Sequence, residues 1–222
     1  MAILELKGVS KRFGGIRAVQ DVYAEVEPGR ITAFIGPNGA GKTTTFNAIS
    51  GFYKPTSGEI LTDGTISWPV GFAGSFHPEL TGAQNVKFVA RIYGIDTDEM
   101  TEFVEDFAEL GPHFRLPVRS YSSGMRARLA FGVSMAVPFD FYLVDEVTAT
   151  GDAGFRKKSS ALFKDRMRKS GSFVVSHSMD QIRELCDVGL VLERGEATYY
   201  TDLDEAIAHH EYNMKVAPRP AS

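Results

Sequence analysis

Only one cysteine, Cys186, occurs in 222 residues. No disulfide can close within the chain, so a reducing compartment is the simple reading. Cys186 itself reads as a small core residue rather than a reactive thiol. Excess positive charge is also lacking: the net charge of −4 offers no electrostatic footprint for nucleic acid or anionic lipid. Long apolar runs are missing too. The most apolar stretch, Leu129 to Val144, is interrupted by Pro138 and Asp140, so it does not read as a bilayer span. Any membrane role would have to come through a partner. The opening Met1-Ala2-Ile3-Leu4-Glu5-Leu6 lacks the regions of a signal peptide and reads as the start of a strand. Neither an internal repeat nor a low-complexity tract is seen. What remains is an ordinary globular composition, 43% hydrophobic and 23% charged, at a length suiting one large α/β domain or a core with an appended lobe.

What the chain does contain is Gly36-Pro37-Asn38-Gly39-Ala40-Gly41-Lys42-Thr43, which fits G-x-x-x-x-G-K-[ST]. Before it, Ile31-Thr32-Ala33-Phe34-Ile35 reads as a buried strand; after it, Thr44 to Ser50 reads as a helix stopped by Gly51. A phosphate-binding loop needs strand, glycines and helix in that order. Glycines let the backbone curl until successive N–H groups converge on a phosphate, and the helix N-terminus adds partial positive charge. Lys42 would reach the β- and γ-phosphates, and the Thr43 hydroxyl would ligate Mg²⁺. A glycine-rich turn with a surface lysine is the bland alternative, and it leaves the order of elements unexplained.

Around this loop the first third reads as short strands, at Ile3–Gly8, Val22–Val26, Glu59–Leu61 and Thr65–Ser67. The middle is helical. Thr81 caps a helix through Tyr93, stopped by Gly94, with Val86, Val89, Ala90 and Tyr93 on one face. Asp98 to Leu110 follows, with Met100, Phe103, Val104, Phe107 and Leu110 at helical spacing. A third helix, Met125 to Val137, ends at Pro138. The last third returns to strands between helices, at Phe141–Asp145, Ser172–Ser176 and Val188–Glu193, and residues 214–222 read as a disordered tail.

Three further motifs gain meaning beside the loop. Phe141-Tyr142-Leu143-Val144-Asp145-Glu146 is an apolar strand ending in two carboxylates. The first, Asp145, is placed to help hold Mg²⁺, and Glu146 to polarise an attacking water. Tyr121-Ser122-Ser123-Gly124-Met125 opens a helix with small residues whose N–H and hydroxyl groups suit an anion, or form a plain serine cap. His177 follows the strand Val174-Val175-Ser176, where an imidazole can bond a γ-phosphate or simply sit satisfied at a strand end.

This order of motifs, continued by Asp152 in a small-residue loop, resembles the ATP-binding cassette (ABC) ATPases from Ile3 to about Tyr212. The resemblance implies a phosphate-loop α/β core with an antiparallel β subdomain and an inserted α-helical subdomain. One nucleotide-binding domain over residues 1–213 is expected, its insert at about 78–137. Adenine would stack on Phe13, and Gly36, Pro37, Asn38, Gly39, Ala40, Gly41, Lys42, Thr43 and Thr44 would bind the phosphates. Ser122, Ser123 and Gly124 would act as a signature sequence across a head-to-tail homodimer, and Asp152 would couple the two sites. Lys42, Glu146 and His177 are the implied catalytic residues, and Thr43 and Asp145 the implied Mg²⁺ ligands. Where most cassettes carry a Gln that contacts Mg²⁺ and water, His77 is the nearest candidate.

Narrower segments point to cargo. Ile66-Ser67-Trp68-Pro69-Val70-Gly71, Phe76-His77-Pro78-Glu79-Leu80-Thr81-Gly82 and Tyr121 to Gly132 resemble exporters of bacterial capsular polysaccharide. That group implies an integral-membrane permease as partner, no nucleic acid, and a place on the cytoplasmic face of the inner membrane. The first 58 residues, including Gly14 to Val19 and Gly51-Phe52-Tyr53-Lys54-Pro55, resemble branched-chain amino-acid importers instead. A helical lobe that grips the permease should track cargo better than a segment that contacts nucleotide, which favours export. The importer, a cassette acting on DNA or ribosomes, and a binding-only regulatory subunit stay open as alternatives.

Overall fold

The computed structural model describes residues 2–71, 74, 76–145, 153–176, 178–193 and 196–216. They form nine strands and seven α-helices in two compact units.

The first unit takes its described residues from 1–67, 140–147 and 167–222. Strands β1 (Leu4–Phe13) and β2 (Ile16–Val26) make a hairpin, and β4 (Ser57–Thr62) flanks β1 in the antiparallel order β2-β1-β4. Along β2, Val22, Ala24 and Val26 are buried while Asp21, Tyr23 and Glu25 are exposed, the alternation of a sheet with one face on the core. The second sheet runs β5-β6-β7-β3-β8-β9. Its parallel centre is β6 (Phe141–Asp145), β7 (Gly171–Val175), β3 (Ile31–Ile35) and β8 (Val188–Glu193). These strands are buried almost throughout, as expected when both faces are covered and the sequence reads as continuous apolar runs. At the edges stand β5 (Ile66–Pro69) and β9 (Glu196–Tyr200), the latter antiparallel to β8.

Helix α1 (Lys42–Ile49) packs Phe46 into a stack with Phe34 of β3 and Phe173 of β7, at ring separations of 5.6 and 6.2 Å. Phe141 closes on Phe173 edge-on at 5.3 Å. Leu4, Leu6, Val19 and Val22 of the hairpin belong to the same core. The phosphate-loop strand and helix are thus pinned by aromatic contacts worth about 0.5–1.5 kcal/mol per pair beyond burial. The chain also forms α6 (Met179–Leu185) and α7 (Leu203–Val216), the latter passing close over β8 where Gly189 faces Ala206. Cys186 is buried in this unit, with its thiol pushed up to about 12, chiefly by burial, so it is an inert core residue as read.

The second unit contains α2 (Gly82–Tyr93), α3 (Thr97–Ala108) and α4 (Ser123–Ala136), and α5 (Ala153–Met167) begins within it. Thr81 caps α2 with a full capping box through Gln84, and Gly94 ends that helix in the left-handed conformation. Asp96 caps α3 and Ser122 caps α4. Of the stripes that the spacing predicts, Val86, Ala90, Met100, Val104, Phe107 and Leu110 are buried and Val89 and Phe103 are half-buried, whereas Tyr93, at the last turn of α2, is 43% exposed; Leu129 and Val133 of α4 are buried as well. Trp68 packs against Tyr93 and Phe139 at 5.4 and 5.1 Å, and its indole N–H donates to the Ser134 hydroxyl at 3.1 Å. The exporter-like Trp68-Pro69-Val70-Gly71 segment therefore has a local anchoring role.

Candidate functional site

The nucleotide loop is shaped by contacts that tolerate no side chain. Gly36 follows β3 so closely that a Cβ would stand 2.2 Å from the Leu192 carbonyl oxygen. Gly41 is left-handed at φ +104°, and its Cβ would meet the Ala18 carbonyl oxygen at 2.4 Å. Only glycine fits either place, and the loop is folded by that constraint against β8 and β2. Lys42 then opens α1, and the Thr45 hydroxyl donates back to the Gly41 carbonyl at 2.9 Å.

A pocket of about 390 Å³ opens at this point. It is lined by Asn38, Gly39, Gly41, Lys42, Thr43 and Thr44 of the loop and helix start, and by Ala18, Asp145 and Val175. Three separate strand ends, of β2, β6 and β7, thus meet the glycine loop. Lys42 Nζ donates to the carbonyls of Gly36 at 2.5 Å and Pro37 at 2.9 Å. Burial holds the Lys42 ammonium below the usual lysine range, and the Asp145 carboxylate opposes that shift. Sequence reasoning had no means of finding His210. It lies on α7, and its imidazole is held below the ordinary histidine range by burial and then by the charge of Lys42. No motif marks that residue; only the docking of α7 brings it into range.

Of the residues read from the sequence, the structure brings Asn38, Gly39, Gly41, Lys42, Thr43, Thr44 and Asp145 together at one pocket. Gly36, Pro37 and Ala40 shape the loop without lining it: Ala40 is buried and its N–H donates to Pro37. Phe13 stands at the end of β1, 48% exposed, outside the pocket lining. Glu146, Asp152 and His177 lie outside the described residues. Asp145 and Val175, at the ends of β6 and β7, line the pocket.

In the helical unit, Ser122 Oγ accepts the Met125 N–H at 3.2 Å, which leaves its O–H free to donate to an anion. Tyr121, where cassettes more commonly have Leu, is buried and donates its hydroxyl to the His113 carbonyl at 2.8 Å. The Arg126 guanidinium donates to the Tyr121 carbonyl at 3.0 Å, bracing the helix start. The His77 backbone is held by Asn85, whose Oδ1 accepts the His77 main-chain N–H at 2.8 Å, while the His77 ring Nδ1 accepts the Glu79 main-chain N–H at 3.3 Å.

Residues 19–149 match the ABC transporter family, a span reaching from the strand beside the loop past Asp145. The chain belongs to the ABC transporter family. Similar members include the polysialic acid transport ATP-binding protein KpsT of Escherichia coli, 50% identical over 198 residues, 88% of each chain. The capsule polysaccharide export ATP-binding protein CtrD of Neisseria meningitidis serogroup B is 41% identical over 212 residues, 94% of this chain and 98% of that protein. Both matches are longer than the chain beyond residue 58, so they take in much of the importer-like segment as well. A solved structure, an ATP-binding subunit of an ABC transporter, superposes with a TM-score of 0.82 at 22% identity, over 99% of this chain and 95% of that one. That likeness bears on the fold: a cassette ATPase fold with an antiparallel sheet, a mainly parallel sheet and helices.

Proposed function

We propose that this chain is the ATP-hydrolysing subunit of a bacterial transporter that exports capsular polysaccharide through a separate membrane-embedded permease. The observation that carries the reading is the near full-length match to KpsT and CtrD, whose names state polysialic acid transport and capsule polysaccharide export. The pocket supports the ATPase half, because it joins the glycine loop, Lys42 and Asp145 in one cavity.

The Thr43 hydroxyl and the Asp145 carboxylate, both lining that cavity, are hard oxygen donors of the kind Mg²⁺ takes beside phosphate oxygens. Held there by Thr43 and Asp145 with the nucleotide, Mg²⁺ would supply charge neutralisation to the phosphate oxygens. Loop amides and Lys42 hold the β- and γ-phosphates. Glu146 accepts a proton from the attacking water, and His177 positions that water on the γ-phosphorus. The oxygen bridging to the β-phosphate leaves as ADP. Ser122 of a second copy donates to the γ-phosphate from the far side, so two nucleotides lie between two head-to-tail chains. Charge stabilisation by these fixed donors supplies most of the acceleration. Asp152 links one site to the other across the dimer, and His77 stands in for the usual Gln.

No helix among the described residues is long and apolar enough to cross a membrane. In this reading the chain associates with the cytoplasmic face of the inner membrane through the permease. Co-purification of tagged chain from native membranes tests the reading. A permease encoded beside glycan-export genes is expected, and an amino-acid permease with a binding protein would overturn the cargo.

A further inference from the structure

The hairpin end carrying Phe13 is held by a cluster that the phosphate chemistry does not use. Tyr53 follows α1 and meets the Phe13 ring edge-to-face, with centroids 5.5 Å apart and planes at 89°. Its hydroxyl donates to the Thr44 carbonyl at 3.1 Å, one residue after Thr43 and on the pocket wall. Lys11 closes the third side. Its ammonium sits 4.6 Å from the Tyr53 ring centroid and 5.3 Å from that of Phe13, and donates to the Lys54 carbonyl at 2.7 Å. Two more bonds lock the segment onto β1: the Arg12 N–H to the Thr56 hydroxyl at 3.0 Å, and the Thr56 N–H to the Ser10 carbonyl at 2.8 Å.

We infer that Tyr53 is a positioning residue that fixes Phe13 against the phosphate loop, so that the base and the triphosphate of one nucleotide are held in register. A half-exposed ring at a hairpin end has rotamer freedom, and ordering it on binding would cost affinity. Tyr53 removes that freedom through its ring, and transmits the position to α1 through its hydroxyl. Lys11 is committed to the two rings and a carbonyl, which makes it a brace for the platform rather than a phosphate ligand.

This assignment rests on the nucleotide-binding reading, and the test separates the two. The full chain is titrated with ATP and with inorganic tripolyphosphate, which has the phosphates and no base. Tyr53→Leu is expected to weaken ATP binding about two- to ten-fold, the range of one aromatic pair, with tripolyphosphate changed less than about two-fold. In a Phe13→Ala background the same substitution should cost ATP nothing further. Tyr53→Phe keeps the ring and its packing but loses the bond to Thr44, and should fall between the wild type and the leucine variant, which guards against a folding failure of the latter. Equal weakening of both ligands, or an undiminished loss in the Phe13→Ala background, overturns the inference while leaving the nucleotide site intact. A wild-type chain that binds neither ligand overturns the nucleotide reading itself.

Discussion

Lys42 bonds backwards onto the Gly36 carbonyl oxygen, 2.5 Å from its ammonium, instead of pointing away from its own loop. The loop's cation is thereby solvated by two carbonyl dipoles, with Pro37 as the second at 2.9 Å. A triphosphate offers far more negative charge, so binding exchanges these carbonyls for phosphate oxygens.

A proton-uptake signal follows. In the free protein Lys42 is held below the ordinary lysine value by burial, with Asp145 acting the other way. Bound phosphates favour the charged form and raise it. Between the lower free value and the higher bound value, the complex holds more protons than the separated partners, so affinity must fall as pH rises through that window. Binding enthalpies measured on the alkaline side in buffers of different ionisation heat should report proton uptake by the protein. Proton release, or none, would show that Lys42 does not meet the phosphates.

Replacing Lys42 by Ala removes the only lysine in the pocket lining. ATP affinity should fall by about ten-fold or more, the scale of a lost charge-assisted bond. Thermal stability should hold or rise slightly, since a half-buried ammonium is removed. Unchanged affinity in a direct titration would refute the reading of the loop.

Glu146→Gln separates binding from chemistry. The variant should bind ATP with near-normal affinity and lose about 10²-fold or more in turnover, the scale of a lost general base. Phosphate release measured with the permease present decides it. Near-normal turnover would move the base elsewhere.

How much of this was legible beforehand follows from what each segment's sequence encodes locally. The strands Phe141–Asp145, Ile31–Ile35 and Val188–Glu193 were readable because a buried parallel strand is a bounded apolar run. The helices at Thr81 and Ser122 were readable because their caps are written in residue types. By contrast, β1 and β2 run to Phe13 and from Ile16, well beyond the apolar core of each, since hairpin pairing extends strands through Lys11 and Arg17 where no apolar pattern exists. Helix α5 and strand β9 carry weak signals: α5 mixes Arg156, Lys157 and Lys158 with only spaced apolar residues. In the site, Lys42 and Asp145 belonged to motifs. His210 belonged to none, and Tyr53 stood in a segment read only for its family likeness, because their roles come from distant chain segments meeting.

Asn85 should be the most sensitive polar position in the helical unit. It is 2% exposed, with Oδ1 accepting the His77 N–H and Nδ2 near the carbonyls of His77, Leu80 and Thr81 at 3.0–3.3 Å. Asn85→Asp places a carboxylate oxygen against three carbonyl oxygens, and should cost about 3 kcal/mol in chemical denaturation. A loss under about 1 kcal/mol would show that water replaces the clamp at little cost.

The seat of α7 on the sheet turns on Gly189 and Ala206. A Cβ at Gly189 would lie 2.3 Å from the Ala206 Cβ, and Ala206 is fully buried, so neither atom has a rotamer by which to withdraw. Gly189→Ala must therefore lift the helix or bend β8, at a cost of about 1–3 kcal/mol. Ala206→Gly alone costs about 1 kcal/mol through helix propensity. If the clash is the cause, the double variant will be more stable than the two single losses predict, by about 1 kcal/mol or more of coupling. The same displacement would move His210 and Asn213, whose amide bonds Glu193 at the end of β8, so the single variant should also alter ATP affinity. Additive losses would mean that Gly189→Ala acts through β8 itself, and an unshifted ATP affinity would mean that the position of α7 is not felt at Lys42.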